Sequence, residues 1–229
     1  MFANSFQTSD VLGSTFAAAT MGCFATAALM ALGLTWVSER WRIPVALAAV
    51  ALAISALAYM SAEELWLSGG KLSSAPRFAA WFAVHPLLVA AAYFFVSIAG
   101  SVPAGVFWRI TVAALLMVLS RYLGDAHIFN PTLGVLLSIA FWLYILGEMY
   151  FGRMADVLRK ASRPMQIGYF WIRLIMTVGW GVIPILHFVD VVIGVGYTPV
   201  IATLYTIADL VNLVALALTY LAVAGKERY

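Results

Sequence analysis

One carboxylate interrupts the last long apolar segment of the chain, in the run Tyr205-Thr206-Ile207-Ala208-Asp209-Leu210-Val211-Asn212-Leu213. A carboxylate at the centre of a membrane helix costs about 2.5–3.5 kcal/mol, so Asp209 must face other helices and meet a partner there. Tyr205, Asp209 and Leu213 recur every four residues, which places them on one helix face. We expect the other segments of the chain to pack around that face.

The composition of the whole chain is typical of a membrane protein. Of its 229 residues, 64% are hydrophobic and 10% are charged, and the mean hydropathy is +0.98. A membrane-spanning helix takes about 20 apolar residues, which leaves room for about six or seven spans. We expect the first apolar segment to be a retained span, because no basic stretch precedes it. The single Cys23 excludes a disulfide framework and a cysteine-based metal site.

Charged, glycine-rich and proline-containing breaks divide the chain into seven apolar segments. We predict one membrane domain, residues 1–229, with helices over residues 11–37, 43–66, 76–99, 106–123, 131–152, 164–189 and 197–224. Basic residues concentrate on one side of this arrangement: Arg40, Arg42, Arg109, Arg153, Arg159, Lys160, Arg163, Lys226 and Arg228. The opposite loops supply Lys71 and Arg121. The positive-inside rule then places the N-terminus outside and the C-terminus in the cytoplasm, and the basic balance requires no nucleic-acid partner.

Arg77, at the start of the third predicted helix, is the predicted partner of Asp209. A guanidinium and a carboxylate together are neutral, which lowers the cost of placing either in a membrane interior. The alternative is that Arg77 extends to the lipid headgroups, since it lies near a helix end. On the cytoplasmic side, Glu148 is expected to be solvated, and Arg173 to pair with Glu148 or to reach the interface.

Polar and aromatic residues also form stripes at helical spacing. There are two: Arg77, Trp81, His85 and Leu88 on the third predicted helix, and Trp180, Ile183, Pro184 and His187 on the sixth. Two inward-facing tryptophans are suited to enclosing a flat apolar ligand, although the same spacing is typical of ordinary packing between helices. Neither histidine has a second ligand three or four residues away, so we expect no metal site.

The order of these motifs resembles that of the microbial rhodopsins. Residues 77–88, RFAAWFAVHPLL, resemble the family's third-helix signature R-Y-x-D-W-x-x-T-x-P-L-L, and residues 180–184, WGVIP, resemble W-x-x-Y-P. Residues 205–212, YTIADLVN, are similar to the proteorhodopsin run Y-N-L-A-D-F-V-N, and residues 122–126 and 142–148 also resemble that subgroup. The resemblance implies an all-α bundle of seven transmembrane helices in a bacterial inner membrane.

The departures from the family pattern concern its chemistry. Family members hold retinal as a Schiff base on a lysine, and the matching position here is Leu213. The counterion aspartate corresponds to Ala80, and the proton-donor carboxylate to Ala91. All three lysines of the chain, Lys71, Lys160 and Lys226, read as loop or terminal residues. The resemblance therefore implies neither a covalent cofactor nor a proton pump.

The positions that enclose the ligand in the family are Trp81, His85, Leu88, Trp180, Ile183, Pro184, His187, Tyr205, Asp209 and Leu213. We interpret the chain as an opsin-like binding or sensory protein that holds retinal or another isoprenoid non-covalently and signals to a cytoplasmic partner. Family analogy implies a homo-oligomer. The alternatives are an ion channel or transporter that uses Arg77, Asp209 and the two histidines, or a vestigial scaffold. No nucleophile or metal constellation favours an enzyme.

Overall fold

The computed structural model describes residues 10–69 and 72–227, and in this part of the chain seven helices are long and apolar enough to cross a membrane. They are α1 (Val11–Gly33), α2 (Glu39–Gly69), α3 (Ala75–Ala99), α4 (Ala104–Asp125), α5 (Pro131–Leu158), α6 (Arg163–Val192) and α7 (Pro199–Lys226). Gly152 interrupts α5, so that Arg153–Leu158 forms a separate helical turn where the sequence predicted a linker. No strand is present in the described residues.

Several helices begin at a residue suited to capping. Asp10 accepts a hydrogen bond from the Gly13 backbone N–H (2.9 Å), and Asn130 accepts one from Leu133 (3.2 Å). These side chains satisfy N–H groups that the first turn of a helix leaves without partners. Prolines in the first turns of α3, α5 and α7 cost no hydrogen bond, because those positions have no helical acceptor.

The helix bounds differ from the predicted ones mainly at the polar ends. α1 ends at Gly33 rather than at residue 37, whereas α2 covers Glu39–Gly69 rather than 43–66. α6 continues to Val192 rather than 189, and α7 starts at Pro199 rather than 197. Hydropathy marks which residues lie in the bilayer, and a helix can continue with charged residues beyond that depth.

Two π-helical segments interrupt α6, at Ile175–Gly179 and at Phe188–Val192. They flank the α-helical stretch Trp180–His187, which contains Pro184. Such wide turns occur frequently at functional sites. The second one carries Asp190, which is buried inside the bundle.

The helices form a ring in which α1 packs on α2 and α7, α2 on α3, and α4 on α5. The half of the bundle near the C-terminal end of α7 is filled by large side chains. The Trp41 and Phe95 rings lie 5.4 Å apart, and the Phe95 and Tyr220 rings 5.9 Å apart. Ala91 is fully buried in the bundle. The ionisable residues of the predicted site lie in the opposite half.

Candidate functional site: a polar chamber and its cavities

Asp209 is 6% exposed and is held by two neutral donors. Its Oδ2 atom accepts hydrogen bonds from the Tyr59 hydroxyl (2.9 Å) and from Trp81 Nε1 (3.1 Å). Hydrogen bonds to a charged group are stronger than those between neutral groups, so this pair of donors stabilises a buried carboxylate. Tyr59, on α2, was not among the predicted site residues, since nothing in the sequence relates it to α7.

The predicted salt bridge between Arg77 and Asp209 is not formed. The Arg77 guanidinium instead lies over the rings of Tyr205 (4.1 Å to the centroid), Tyr197 (4.7 Å) and Trp81 (5.4 Å). Tyr205, one turn before Asp209, lies beside the guanidinium where the carboxylate was expected. A desolvated cation–π contact of this kind stabilises the folded protein by about 2 kcal/mol. Burial raises the pKa of the Tyr197 hydroxyl, so this ring stays neutral beside the guanidinium.

The two predicted histidines do come together with the two tryptophans. The ring of His85 lies 4.8 Å from that of Trp180 and 5.2 Å from that of Trp81, so it occupies the space between the two indoles. His187 hydrogen-bonds the Tyr205 hydroxyl, and its ring lies 6.0 Å from that of Trp81. No group of three or more metal-binding side chains occurs in the described part of the chain.

A cavity of about 30 Å³ remains beside these rings. Six predicted site residues line it: Trp81, His85, Trp180, Ile183, Pro184 and His187. α4 and α5 supply the remaining walls: Met117, Val118, Arg121, Val135, Ser138, Ile139 and Trp142. Leu88, Tyr205, Asp209 and Leu213 are buried but do not line this cavity. A second cavity of about 20 Å³ lies on the other side of Trp81, next to Arg77, Tyr59 and Ala80.

Arg121 was predicted to lie in an outside loop, but its side chain is only 2% exposed within the bundle. Its Nη2 atom lies 3.3 Å from Asp125 Oδ1 and 3.4 Å from Asp190 Oδ2. Ser74 donates a further hydrogen bond to Asp125 (2.7 Å). The prediction was wrong because Arg121 lies on the face of α4 that is buried in the bundle, although it is close to the helix end. The four-residue spacing between them was the available signal, since it is typical of a helical ion pair.

The expected contact between Arg173 and Glu148 is also absent. Glu148 pairs with Arg109 (3.4 Å) and accepts a hydrogen bond from the backbone of Arg153 (3.2 Å). Arg173 lies over the rings of Tyr150 (4.7 Å) and Tyr169 (4.9 Å). Both arginines expected to pair with a carboxylate, Arg77 and Arg173, therefore lie against tyrosine rings.

Comparison with known proteins adds independent findings. The model of a family described as bacteriorhodopsin-like protein matches residues 10–226. A green-light absorbing proteorhodopsin from Gamma-proteobacterium EBAC31A08 is 25% identical over 220 residues, which cover 96% of this chain and 88% of that protein.

Solved structures show the same fold. A blue light-absorbing proteorhodopsin from Med12 matches with a TM-score of 0.82 at 24% identity, over 95% of this chain and 100% of that one. The Exiguobacterium sibiricum rhodopsin matches with a TM-score of 0.84 at 18% identity, over 95% and 97% of the two chains. The predicted all-α, seven-helix fold class is thus confirmed.

Proposed function

Because this chain belongs to the bacteriorhodopsin-like family, we propose that it is an opsin-like protein that has kept the family's bundle without its covalent chromophore site. Its seven spans and its bacterial relatives make it an integral bacterial membrane protein. In this proposal it binds a planar apolar molecule non-covalently in the cavity between Trp81 and Trp180. Movement of the helices around the ligand then signals to a cytoplasmic partner.

Leu213 carries this proposal. It occupies the position that matches the family's retinal-binding lysine, and it is 6% exposed, so hydrocarbon stands where the amine is required. Of the lysines in the described residues, Lys160 follows the end of α5 and Lys226 is the last residue of α7. Neither can reach the middle of the bundle. Lys71 lies outside the described residues.

The positions that match the family's proton acceptor and donor support the same proposal. They are Ala80, which is 6% exposed, and Ala91, which is fully buried. A methyl group cannot take up or release a proton, so proton pumping through these positions has no chemical basis. Asp209 remains, but its carboxylate is held by Tyr59 and Trp81.

The size of the cavity adds a condition on any ligand. Sites for drug-sized molecules measure roughly 300–1,000 Å³, and this cavity measures about 30 Å³ because the His85 ring fills the gap before Trp180. Retinal does not fit beside that ring. A planar ligand enters when the His85 side chain leaves Trp180, so binding is coupled to a rearrangement in the middle of α3 and α6. This coupling is the basis of the proposed sensory role.

The test is a titration of the protein in lipid nanodiscs with all-trans retinal, followed through tryptophan fluorescence and finished by borohydride reduction. We expect saturable quenching and no reduced adduct on the protein. Trp180→Phe should lose a clear part of the quenching, because it removes one of the three tryptophans that line the cavity, the others being Trp81 and Trp142. Trp108→Phe is the matched control, since Trp108 is 62% exposed towards the lipid and reports only retinal dissolved in the bilayer.

Each outcome of this titration has a definite meaning. A reduced adduct on a helix residue would defeat the non-covalent proposal. Quenching that does not saturate, or that is lost equally in both tryptophan variants, would show that retinal only dissolves in the lipid. The scaffold alternative would then be favoured. The green-light absorbing relative serves as the positive control for adduct formation.

A channel or transporter receives less support from the packing. Arg77, Asp209 and the histidines lie in one half of the bundle, and the opposite half is closed by the packed rings of Trp41, Phe95 and Tyr220. All three of these side chains are fully buried. Ion flux in liposomes that is lost in Asp209→Asn would revive this alternative.

A further inference from the structure

Arg121 has hydrogen-bonding capacity that the described residues do not use. Its Nη2 atom serves Asp125 and Asp190, but its Nε and Nη1 atoms are buried and have no partner. Because a buried donor without an acceptor is destabilising, such groups call for an explanation. Arg121 also forms part of the wall of the cavity beside Trp180.

Most of the other walls of this cavity are apolar or aromatic, and the polar exceptions are Ser138, His85 and His187. The two histidines are already engaged, His187 by the Tyr205 hydroxyl and His85 by the Trp81 carbonyl oxygen. Met117, Val118, Val135 and Ile139 are apolar. Trp142 is already engaged, because its Nε1 atom donates to the Met176 carbonyl oxygen (2.9 Å). A ligand would therefore meet hydrocarbon and aromatic rings over most of its surface, and strong hydrogen-bond donors at Arg121.

The charge of the cluster limits the kind of acceptor. One arginine faces two carboxylates, Asp125 and Asp190, so the three side chains carry a formal charge of −1 when ionised. An anionic ligand would be placed next to this excess negative charge and would lose hydration on entering. A neutral oxygen, such as that of a ketone, can accept a hydrogen bond from one of the free N–H groups without that cost.

We infer that the cavity selects a planar apolar molecule that carries an uncharged hydrogen-bond-accepting oxygen, which Arg121 binds through one of its two unpartnered nitrogens, Nε or Nη1. This inference rests on the proposed function, since it names the ligand class of the same cavity. It also assigns Arg121 a role in recognition in addition to its ion pairs.

The probes for the test are acetophenone and α-methylstyrene, two planar molecules of the same shape that differ in a carbonyl oxygen and a methylene group. Binding is measured in nanodiscs as the saturable recovery of tryptophan fluorescence when a probe displaces the quenching retinal. Empty nanodiscs give the correction for partition into lipid. A hydrogen bond from a charged donor increases affinity about tenfold or more. We expect acetophenone to bind at least about tenfold more tightly than α-methylstyrene.

Arg121→Lys is the variant that separates recognition from stability. Lysine keeps a cation beside Asp125 and Asp190, but it lacks the guanidinium Nε and second terminal nitrogen. It should bind α-methylstyrene as the wild type does and should lose the preference for acetophenone. Arg109→Lys is the matched control on the same helix, because Arg109 is 56% exposed and far from the cavity wall. It should keep the full preference.

The possible results separate the inference from the proposed function. Equal binding of both probes by the wild type, or a preference that persists in Arg121→Lys, overturns the role of Arg121 and leaves the binding cavity intact. Benzoate, a planar anion of similar size, is the third probe, and tighter binding of benzoate than of acetophenone overturns the requirement for an uncharged oxygen. If no probe binds saturably, retinal included, the binding cavity and the inference are both overturned. The comparison of three probes on the wild type stands even if Arg121→Lys does not fold.

Discussion

Gly179 lies where α6 contacts α7, immediately before Trp180 in the cavity wall. A Cβ atom at this position would overlap Asn212 Oδ1 and lie 2.8 Å from Asn212 Cγ. Asn212 is 6% exposed, so its side chain has no open space to move into. Overpacking of this kind costs about 1–3 kcal/mol, while alanine is favoured over glycine in a helix by about 1 kcal/mol. We expect Gly179→Ala to lower the free energy of unfolding by about 0–2 kcal/mol, the difference of these terms.

Gly181, two residues further along α6, provides the control for this prediction. A Cβ there would be 3.5 Å from the Trp142 ring, which is ordinary van der Waals contact. Since both alanine variants gain the same helix propensity, the difference of about 1–3 kcal/mol between them measures the clash alone. The assay is denaturant unfolding in detergent, followed by tryptophan fluorescence.

Removing the overlapped group tests the same reasoning from the other side. Asn212→Ala should be less destabilising in the Gly179→Ala background than in the wild type, because it relieves the clash. Equal unfolding free energies for the two glycine variants would refute the close approach of α6 and α7. Strictly additive effects in the Gly179/Asn212 double variant would refute it as well.

Arg121→Met should cost about 3–5 kcal/mol in the same unfolding assay, because it leaves Asp190 buried without a cation; Arg121→Lys should cost clearly less, and equal losses would contradict the buried ion pair. Tyr59→Phe should cost about 1.5–3 kcal/mol, since it removes a hydrogen bond to Asp209. Tyr144→Phe, at an exposed position, should stay within about 0.5 kcal/mol of the wild type, and similar losses for both would refute the role of Tyr59. The positive-inside rule predicts that protease cleaves a C-terminal tag in inverted vesicles and spares it in right-side-out vesicles; the opposite pattern would reverse the topology.

The sequence predicts how deep a residue lies in the membrane better than it predicts which residues of other helices contact it. Asp209 could be placed inside the bundle because its cost in lipid is high. Its donor Tyr59 could not be found, because the two residues are 150 positions apart and helical spacing relates only residues of one helix. Arg121 was placed in an outside loop because it lies close to the predicted end of a helix, and this environment was wrong. The first π-helical segment of α6, Ile175–Gly179, left no signal in the apolar pattern, which continues through it, and the second contains Asp190 and lies across the predicted helix end at residue 189.

The size of a side chain was the other quantity that the motif resemblance could not supply. His85 was predicted to lie in the wall of the site, and the structure shows that its ring also removes volume, by filling the gap between Trp81 and Trp180. The motif identified the walls of the site, but the volume depends on the rotamers and on the distances between helices. These distances are set by packing across the whole bundle.

The buried polar groups favour the proposed binding protein over an inert remnant of the family. A bundle retained only as a scaffold would be at least as stable with apolar side chains at His85, at His187 and in place of the whole Arg121–Asp125–Asp190 cluster, because replacing a complete buried ion pair by hydrocarbon of similar volume is often neutral or stabilising. Arg121 additionally leaves two buried N–H-bearing nitrogens without an acceptor in the described residues. Local costs of this kind are expected at functional sites. Hydrocarbon at Leu213 together with polar groups around the cavity therefore supports the proposed change of ligand over the absence of one.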